Sequence, residues 1–325
     1  VFDFNYILKA VMSDFKFPLF LIFGFLQGLY LHKTKNFHLL FFMFLLLPIF
    51  SGIRGIFFLL SDFYFMEPRI YLMTNSMLSL AVLSYLIISR DNKIYSSFLF
   101  RIALYFSLIE PSRSYLLMFV VVVVISVVIS FFIKDISKKN KFNLTIILEL
   151  FIILFIIAYL ISIYSPATYN FIMWKINVFN ELFSSHNEIS DSGKVRIYEF
   201  INIYRENMDN IYTFLLGKGF GGAYTFNYYP MYDVPILDLK SYTSDQLQSG
   251  IHYTTHSFSS FMILKYGMIG LLLYLYLPLS IIFKSFRKSL KDKLHIIFFI
   301  FTILSIYNYY WNLTNAILIG VLFVF

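Results

Sequence analysis

The chain of 325 residues contains no cysteine. That absence excludes a disulfide framework, a thiol nucleophile and any cysteine-ligated metal. Charge is scarce as well: Asp, Glu, Lys and Arg make up 14% of the chain against 59% hydrophobic residues, and the mean hydropathy is +0.74. A soluble domain carries about 25% charged residues, and a disordered chain combines low hydrophobicity with high charge, so both classes are excluded. What is abundant is apolar sequence, in runs too long for barrel strands, which cross a membrane in about 9–11 residues. The composition predicts an all-α protein, a polytopic transmembrane helix bundle.

Apolar segments recur at Phe17–Leu31, Phe37–Leu60, Ile70–Ser89, Ser96–Glu110, Tyr115–Ile133, Thr145–Tyr164, Ser257–Phe283, Leu294–Tyr310 and Trp311–Phe325. A spanning helix needs about 20 apolar residues, so these predict about nine spans, some short enough to be tilted or re-entrant. The net charge of +8 is concentrated in alternate connections. Lys33 and Lys35 fill one, Arg90 and Lys93 another, then Lys134, Lys138, Lys139 and Lys141, and finally Lys284, Arg287, Lys288, Lys291 and Lys293. The short connections between carry only Arg69 and Arg113. This alternation is the positive-inside pattern and places the basic loops in the cytoplasm. The positive charge therefore reads as topology, with no nucleic acid as partner.

One connection, residues 165–256, breaks this rhythm and falls on the non-cytoplasmic side. It holds nine acidic and six basic residues, and loops of this length are usually functional. The chain thus divides into N-terminal transmembrane helices (1–164), a large external loop (165–256) that is partly helical, and C-terminal transmembrane helices (257–325). It starts at Val1 and stops at Phe325 inside an apolar run, and reads as clipped at both ends. Tyr228, Tyr229, Tyr232, Tyr242 and Tyr253 in the loop suit sugar faces, or a belt of interfacial aromatics. Val195 to Tyr212 predicts an amphipathic helix, with Ile197, Phe200, Ile201, Tyr204 and Met208 near one face and Asp191 or Ser192 as its cap. Gly217, Gly219, Gly221 and Gly222 follow. With no preceding strand and no Lys-Ser/Thr pair they are not a Walker loop; a helix stop with a tight turn is the other reading.

Four cationic positions and one further histidine stand out. Arg54, inside an apolar segment, and Arg113, in the turn Glu110-Pro111-Ser112-Arg113-Ser114, are costly at a membrane unless paired or functional; snorkelling, or for Arg113 an ion pair with Glu110, is the alternative. Arg196 opens the loop helix, where a cation opposes the helix dipole and could hold an anion with the helix-end amides, or pair with Glu199. His256 ends the loop, and histidine is the side chain best suited to general-base work near neutral pH. His252, four residues earlier, would make a zinc pair with it if both were helical, but the glutamate of HExxH and a third ligand are missing. Gly267 and Gly270 in Tyr266-Gly267-Met268-Ile269-Gly270 predict close packing of the next helix.

Taken in order, Ser112-Arg113-Ser114, Lys194-Val195-Arg196-Ile197-Tyr198-Glu199-Phe200, Leu216-Gly217-Lys218-Gly219-Phe220-Gly221 and Thr255-His256-Ser257-Phe258 through Leu271 resemble the O-antigen polymerase and O-antigen ligase superfamily of bacterial envelope glycosyltransferases. The stretches cover about half the chain. Two features depart from the family: Ser257 follows the histidine where the family often has Asn, and fewer spans are present. The resemblance implies a multi-pass enzyme of the bacterial cytoplasmic (inner) membrane, its long loop facing the periplasm or exterior, acting in lipopolysaccharide and surface-polysaccharide biosynthesis. As a polymerase it would join oligosaccharide repeat units carried on undecaprenyl (polyprenyl) pyrophosphate; as a ligase it would move the lipid-linked glycan to lipid A–core. A flippase or transporter of the same lipid-linked oligosaccharide is the reading from another class. The implied reaction is inverting and metal-independent, with no cofactor. His256 would be the general base, with Arg196 and Arg113 on the pyrophosphate. Arg54, His252, Gly219 and Gly221 would contact substrate. Implied partners are membrane lipid, a chain-length regulator and a flippase.

Overall fold

A computed structural model describes residues 4–34, 76–88, 113–132, 144–164, 191–230, 244–289, 295–306 and 312–325, with isolated positions that include Arg101, Tyr105, Tyr242, Tyr309 and Tyr310. In chain order its helices are α1 (Phe4–Lys33), α2 (Ser76–Ile88), α3 (Arg113–Phe132), α4 (Leu144–Tyr164), α5 (Asp191–Met208), α6 (Ile211–Leu216), α7 (Ser244–Ser249), α8 (Phe258–Ser289), α9 (His295–Ser305) and α10 (Leu313–Val324). Among the described residues no strand forms, and the extended pairing is an isolated bridge between Tyr224 and His252. Two helices, Ala10–Lys33 within α1 and Phe258–Ser289, are long and apolar enough to cross a membrane. The expected spans Phe37–Leu60 and Ser96–Glu110 lie largely outside the described residues.

The chain forms two compact units that interleave along the sequence: Val1–Tyr30 with Asn187–Ile281 and Ser305–Phe325, and Leu31–His186 with Ile282–Leu304. The first joins parts of all three segments expected from the sequence. In the second, α2 is buried along its length from Met77 to Ile87 and packs against α3 and α4. The valine-rich α3 is strand-like by propensity alone. As a helix of 20 residues, it pairs its own backbone groups without a neighbouring strand. Glu149, in apolar α4, pairs with Arg101 at 2.8 Å, which neutralises a charge that such a helix could otherwise not carry cheaply.

The first unit is organised by breaks in its helices. Gly24 and Gly28 bring α1 against α10, where a Cβ at Gly24 would meet the Ile317 carbonyl and one at Gly28 would lie 2.8 Å from the Val321 carbonyl. Matched steps of four on both helices make them parallel, and glycines so spaced allow backbones to approach closely. The Phe323 ring contacts Phe25 of α1 and Tyr276 of α8, while Asp14 of α1 pairs with Lys265 of α8 at 2.7 Å. Advancing from the first contact to the second moves along α1 and α8 in the same sense, so α1, α8 and α10 run side by side and parallel.

Each break frees a carbonyl, and each freed carbonyl is given a donor. Pro18 and Pro278 lack the N–H that would bond four residues back. The Asp14 carbonyl accepts instead from the Tyr266 hydroxyl at 3.3 Å, and the Tyr274 carbonyl from the Tyr309 hydroxyl at 2.5 Å. Gly267 interrupts α8 with φ 66° and ψ −164°, a conformation open to glycine and strained for other residues. The carbonyls of Leu264 and Lys265, which lose their helical partners there, accept from the amides of Lys218 (2.7 Å) and Gly219 (3.1 Å). The glycine-rich turn after α6 is thus docked on the break in α8. Lys265 reaches back from the break, donating to the Gly222 carbonyl at 2.8 Å, and Asp14 accepts from the Gly221 amide at 2.9 Å.

The glycines of this turn are not equivalent. A Cβ at Gly217 (φ 76°) would lie 2.5 Å from the backbone of Lys265 and Tyr266, whereas one at Gly219 (φ 77°) would meet nothing within 4 Å. Gly219→Ala should cost only the left-handed strain, about 1–2 kcal/mol. Gly217→Ala must also push two backbones apart, so thermal unfolding in detergent should show a clearly larger loss of Tm. Equal losses would mean that the two turns do not dock as described.

Candidate active site

α5 carries a polar row on its inner side. Glu199, Asn202 and Asn207 are fully buried, beside Val195 and Ile203. Glu199 and Asn202 use both of their polar atoms, whereas Oδ1 of Asn207 is buried without a hydrogen-bond partner. The Asn202 side chain accepts from the amides of Tyr228 (2.8 Å) and Tyr229 (3.1 Å) and donates to the Tyr229 carbonyl at 3.1 Å. Asn207 donates to the Ile263 carbonyl at 2.8 Å. Glu206 accepts from the Thr225 amide at 2.8 Å and pairs with Lys218 at 2.5 Å. These bonds lash the extended segment 222–230 and the start of α8 to α5, as buried polar groups require.

Glu199 is the centre of the arrangement. Its Oε1 accepts from the Tyr242 hydroxyl at 2.6 Å, the Tyr224 hydroxyl at 2.8 Å and Nδ1 of His256 at 2.7 Å, and its Oε2 from the His256 amide at 3.0 Å. A carboxylate in its ionised form only accepts, so it pairs with a hydrogen on Nδ1, and in the neutral ring Nε2 then holds the lone pair. The His256 side chain is 26% exposed while that of Glu199 is fully buried. The result is a histidine oriented by a buried carboxylate, with its other nitrogen outside that contact, an arrangement suited to general-base catalysis. The ring of Tyr242 lies edge-on to His256 at 5.0 Å. Burial and the neighbouring Glu199 raise the Tyr224 phenol well above its ordinary range, so it remains a hydrogen-bond donor. Ser257 accepts from the Ser260 amide at 3.2 Å and caps α8, a position at which Ser and Asn serve equally well.

The sequence candidates fall into three groups. His256 is at the site, and Arg196 stands one turn before Glu199 on α5, exposed. Both the Arg196 and Glu199 charges act on Tyr310. The alternative of an Arg196–Glu199 salt bridge is not found: Glu199 faces inward to four other donors, and among the described residues no carboxylate pairs with Arg196. His252, Gly219 and Gly221 are near the site, in structural positions. His252 is bridged to Tyr224 through both backbone groups and buried among the rings of Tyr242 (4.6 Å), Phe226 (4.9 Å) and Tyr224 (5.5 Å), its Nδ1 without a hydrogen-bond partner. The segment 252–256 is not helical, so the two histidines do not form a helical ligand pair. The Gly219 and Gly221 amides are given to Lys265 and Asp14. Arg113 opens α3 in the other unit, and Arg54 lies outside the described residues. Glu199, Tyr224 and Tyr242 were missed as site residues; the available signal was Glu199 three residues after Arg196 on a helix, which read as a surface pair.

Burial lowers the His252 pKa to about 4, against about 6.5 for an unfolded histidine. Between these values the unfolded chain binds a proton that the folded chain does not, so stability is fully present above about pH 6.5 and is lost as pH falls toward 4. The loss attributable to this ring is on the order of a few kcal/mol. His252→Phe, which keeps a ring in the aromatic cage, should flatten the acid limb of a Tm-against-pH curve. An unchanged slope would show that His252 is not the titrating group.

Compared with known proteins, the chain matches no family model, no curated protein and no solved structure.

Proposed function

We propose that this chain is a glycosyltransferase of the bacterial cytoplasmic membrane that joins oligosaccharide repeat units carried on polyprenyl pyrophosphate, an O-antigen or surface-polysaccharide polymerase. The observation that carries the reading is the buried Glu199 holding Nδ1 of His256 at 2.7 Å, with exposed Arg196 one turn away on the same helix. An acceptor sugar hydroxyl gives its proton to Nε2 of His256 as its oxygen attacks the donor's anomeric carbon. The anomeric C–O bond to the pyrophosphate breaks, and the electron pair leaves with the lipid pyrophosphate. Arginine is suited to hold that leaving group through bidentate contacts, and we assign that role to Arg196, exposed one turn before Glu199 on α5. One displacement inverts the anomeric configuration. No step in this scheme calls on a metal or a cofactor.

Multi-pass placement is part of the proposal and has its own support. α1 ends in His32 and Lys33, and α8 carries Arg287 and Lys288 in its last turn. Both helices run in parallel with basic residues at the same end, which is the sense the alternating loops predict for cytoplasmic ends. The Glu199–His256 pair is at the other end, the side on which a lipid-linked glycan is presented after translocation.

The deciding experiment compares surface glycan from a bacterium lacking this gene with the same strain restored by wild type or by His256→Ala at matched protein levels. Core carrying a single repeat unit in the deletion and in His256→Ala supports a polymerase. Bare core with lipid-linked polymer accumulating points to the ligase, and an unchanged ladder overturns both. In a reconstituted assay His256→Ala should slow transfer about 10²–10⁴-fold, the usual contribution of a positioned base. Arg196→Lys keeps the charge and loses the fork, so it should be poorly active; full activity would argue against bidentate contact.

A further inference from the structure

α5 divides its apolar residues between two faces, burying Val195 and Ile203 with its polar row and leaving others outside. Its polar residues Glu199, Asn202 and Asn207 are buried, while Ile197, Phe200 and Met208 are exposed. The short helix α6 continues the exposed ridge with Ile211 (61% exposed), Tyr212 (72%) and Leu216 (60%). The two helices are joined across this face by ring contacts, Phe200 on Tyr204 and Tyr204 on Phe214. An amphipathic helix in water turns its apolar stripe to the core, and an apolar ridge left outside marks a surface that meets a partner or a lipid phase.

The position of the ridge identifies what meets it. α6 ends at Gly217, packed on the backbone at the Gly267 break. Just beyond it, Phe220 lies edge-on to Phe15 of α1 at 5.6 Å and to Tyr266 of α8 at 5.8 Å. From those contacts onward α1 exposes Leu19, Ile22, Phe23 and Leu26, and α8 exposes Ile269, Leu272, Leu273 and Tyr276. The ridge is therefore continuous with the apolar flanks of the two helices long enough to cross a membrane. A second copy would cover a bounded patch, whereas a surface running from α6 down both helices is met whole by a bilayer. Arg205 and Asp209 are exposed beside the ridge, as suits groups that stay in the headgroup layer while apolar neighbours enter it.

We infer that the α5–α6 ridge lies in the membrane surface, at the end of α1 and α8 opposite their basic turns, with Ile197, Phe200, Met208, Ile211, Tyr212 and Leu216 among lipid acyl chains. The inference rests on the membrane placement of α1 and α8 and not on the transferase reading. It puts Arg196, next to Ile197, at the depth of lipid phosphates.

The chain has no cysteine, so single-cysteine variants can be labelled cleanly. An environment-sensitive fluorophore is attached at Phe200→Cys, Ile211→Cys or Leu216→Cys. Ile22→Cys serves as the buried-in-lipid reference and Gln248→Cys, an exposed polar position, as the aqueous one. Each full-length variant is reconstituted into phosphatidylethanolamine–phosphatidylglycerol vesicles. The ridge labels should emit to the blue of the Gln248 label and be quenched by a nitroxide carried high on the acyl chain, with iodide from the aqueous phase quenching only Gln248. Iodide quenching of the ridge labels equal to that at Gln248 overturns the inference. So does shielding that disappears when the protein is diluted with excess lipid, which would make a second copy the occupant. Iodide quenching at Ile22 would remove the membrane placement itself, whatever the chain catalyses.

Discussion

A carbonyl oxygen freed inside an apolar helix has to be given a donor, because no water is at hand to supply one. The first unit is built around that constraint. Proline removes two helical bonds and Gly267 removes two more, and the repairs bring Tyr266 to Asp14, Tyr309 to Tyr274, and the amides of Lys218 and Gly219 to α8. Each repair is also a tertiary contact. The glycine-rich turn is held where it is because α8 is broken, and α5 is held because the turn follows it through α6.

The same logic of obligatory partners shapes the site. A helix whose inner side carries Glu199, Asn202, Glu206 and Asn207 cannot pack against an apolar surface. It packs against a segment whose backbone and hydroxyl groups are unpaired, and residues 222–230 provide them. Glu199 then takes up His256 by both its ring and its backbone amide. The ring orientation is fixed twice over, by the carboxylate and by the capped start of α8 immediately after it. Removing the carboxylate would leave two phenols and a histidine facing one another with no common acceptor, which ties the chemistry of the site to the fold around it.

Much of this was legible in the residues. Hydropathy gave the helical class, since long apolar runs leave few alternatives. The loop helix was readable from the spacing of Ile197, Phe200, Tyr204 and Met208, although Asn210 caps a second short helix that periodicity alone runs together with the first. The direction in which that helix faces was not legible: amphipathic spacing gives two faces, and which one turns inward depends on what it meets. Glu199 was hidden for a related reason. A glutamate three residues after an arginine has a ready local partner, and only the distant arrival of Tyr224, Tyr242 and His256 gives it another. Gly267 was marked for close packing, but the left-handed backbone there depends on contacts to Leu215 and Gly217, far off in sequence.

The break at Gly267 also separates two mechanical regimes within one helix. The stub from Phe258 to Tyr266 is bolted to α5 through Asn207 and to the glycine-rich turn through Lys218 and Gly219. The long apolar stretch after it is free of those bonds. In membranes of different hydrophobic thickness, spanning helices accommodate by tilting. A tilt of that stretch about Gly267 would leave His256 and Glu199 in registration, because both lie on the bolted side of the break.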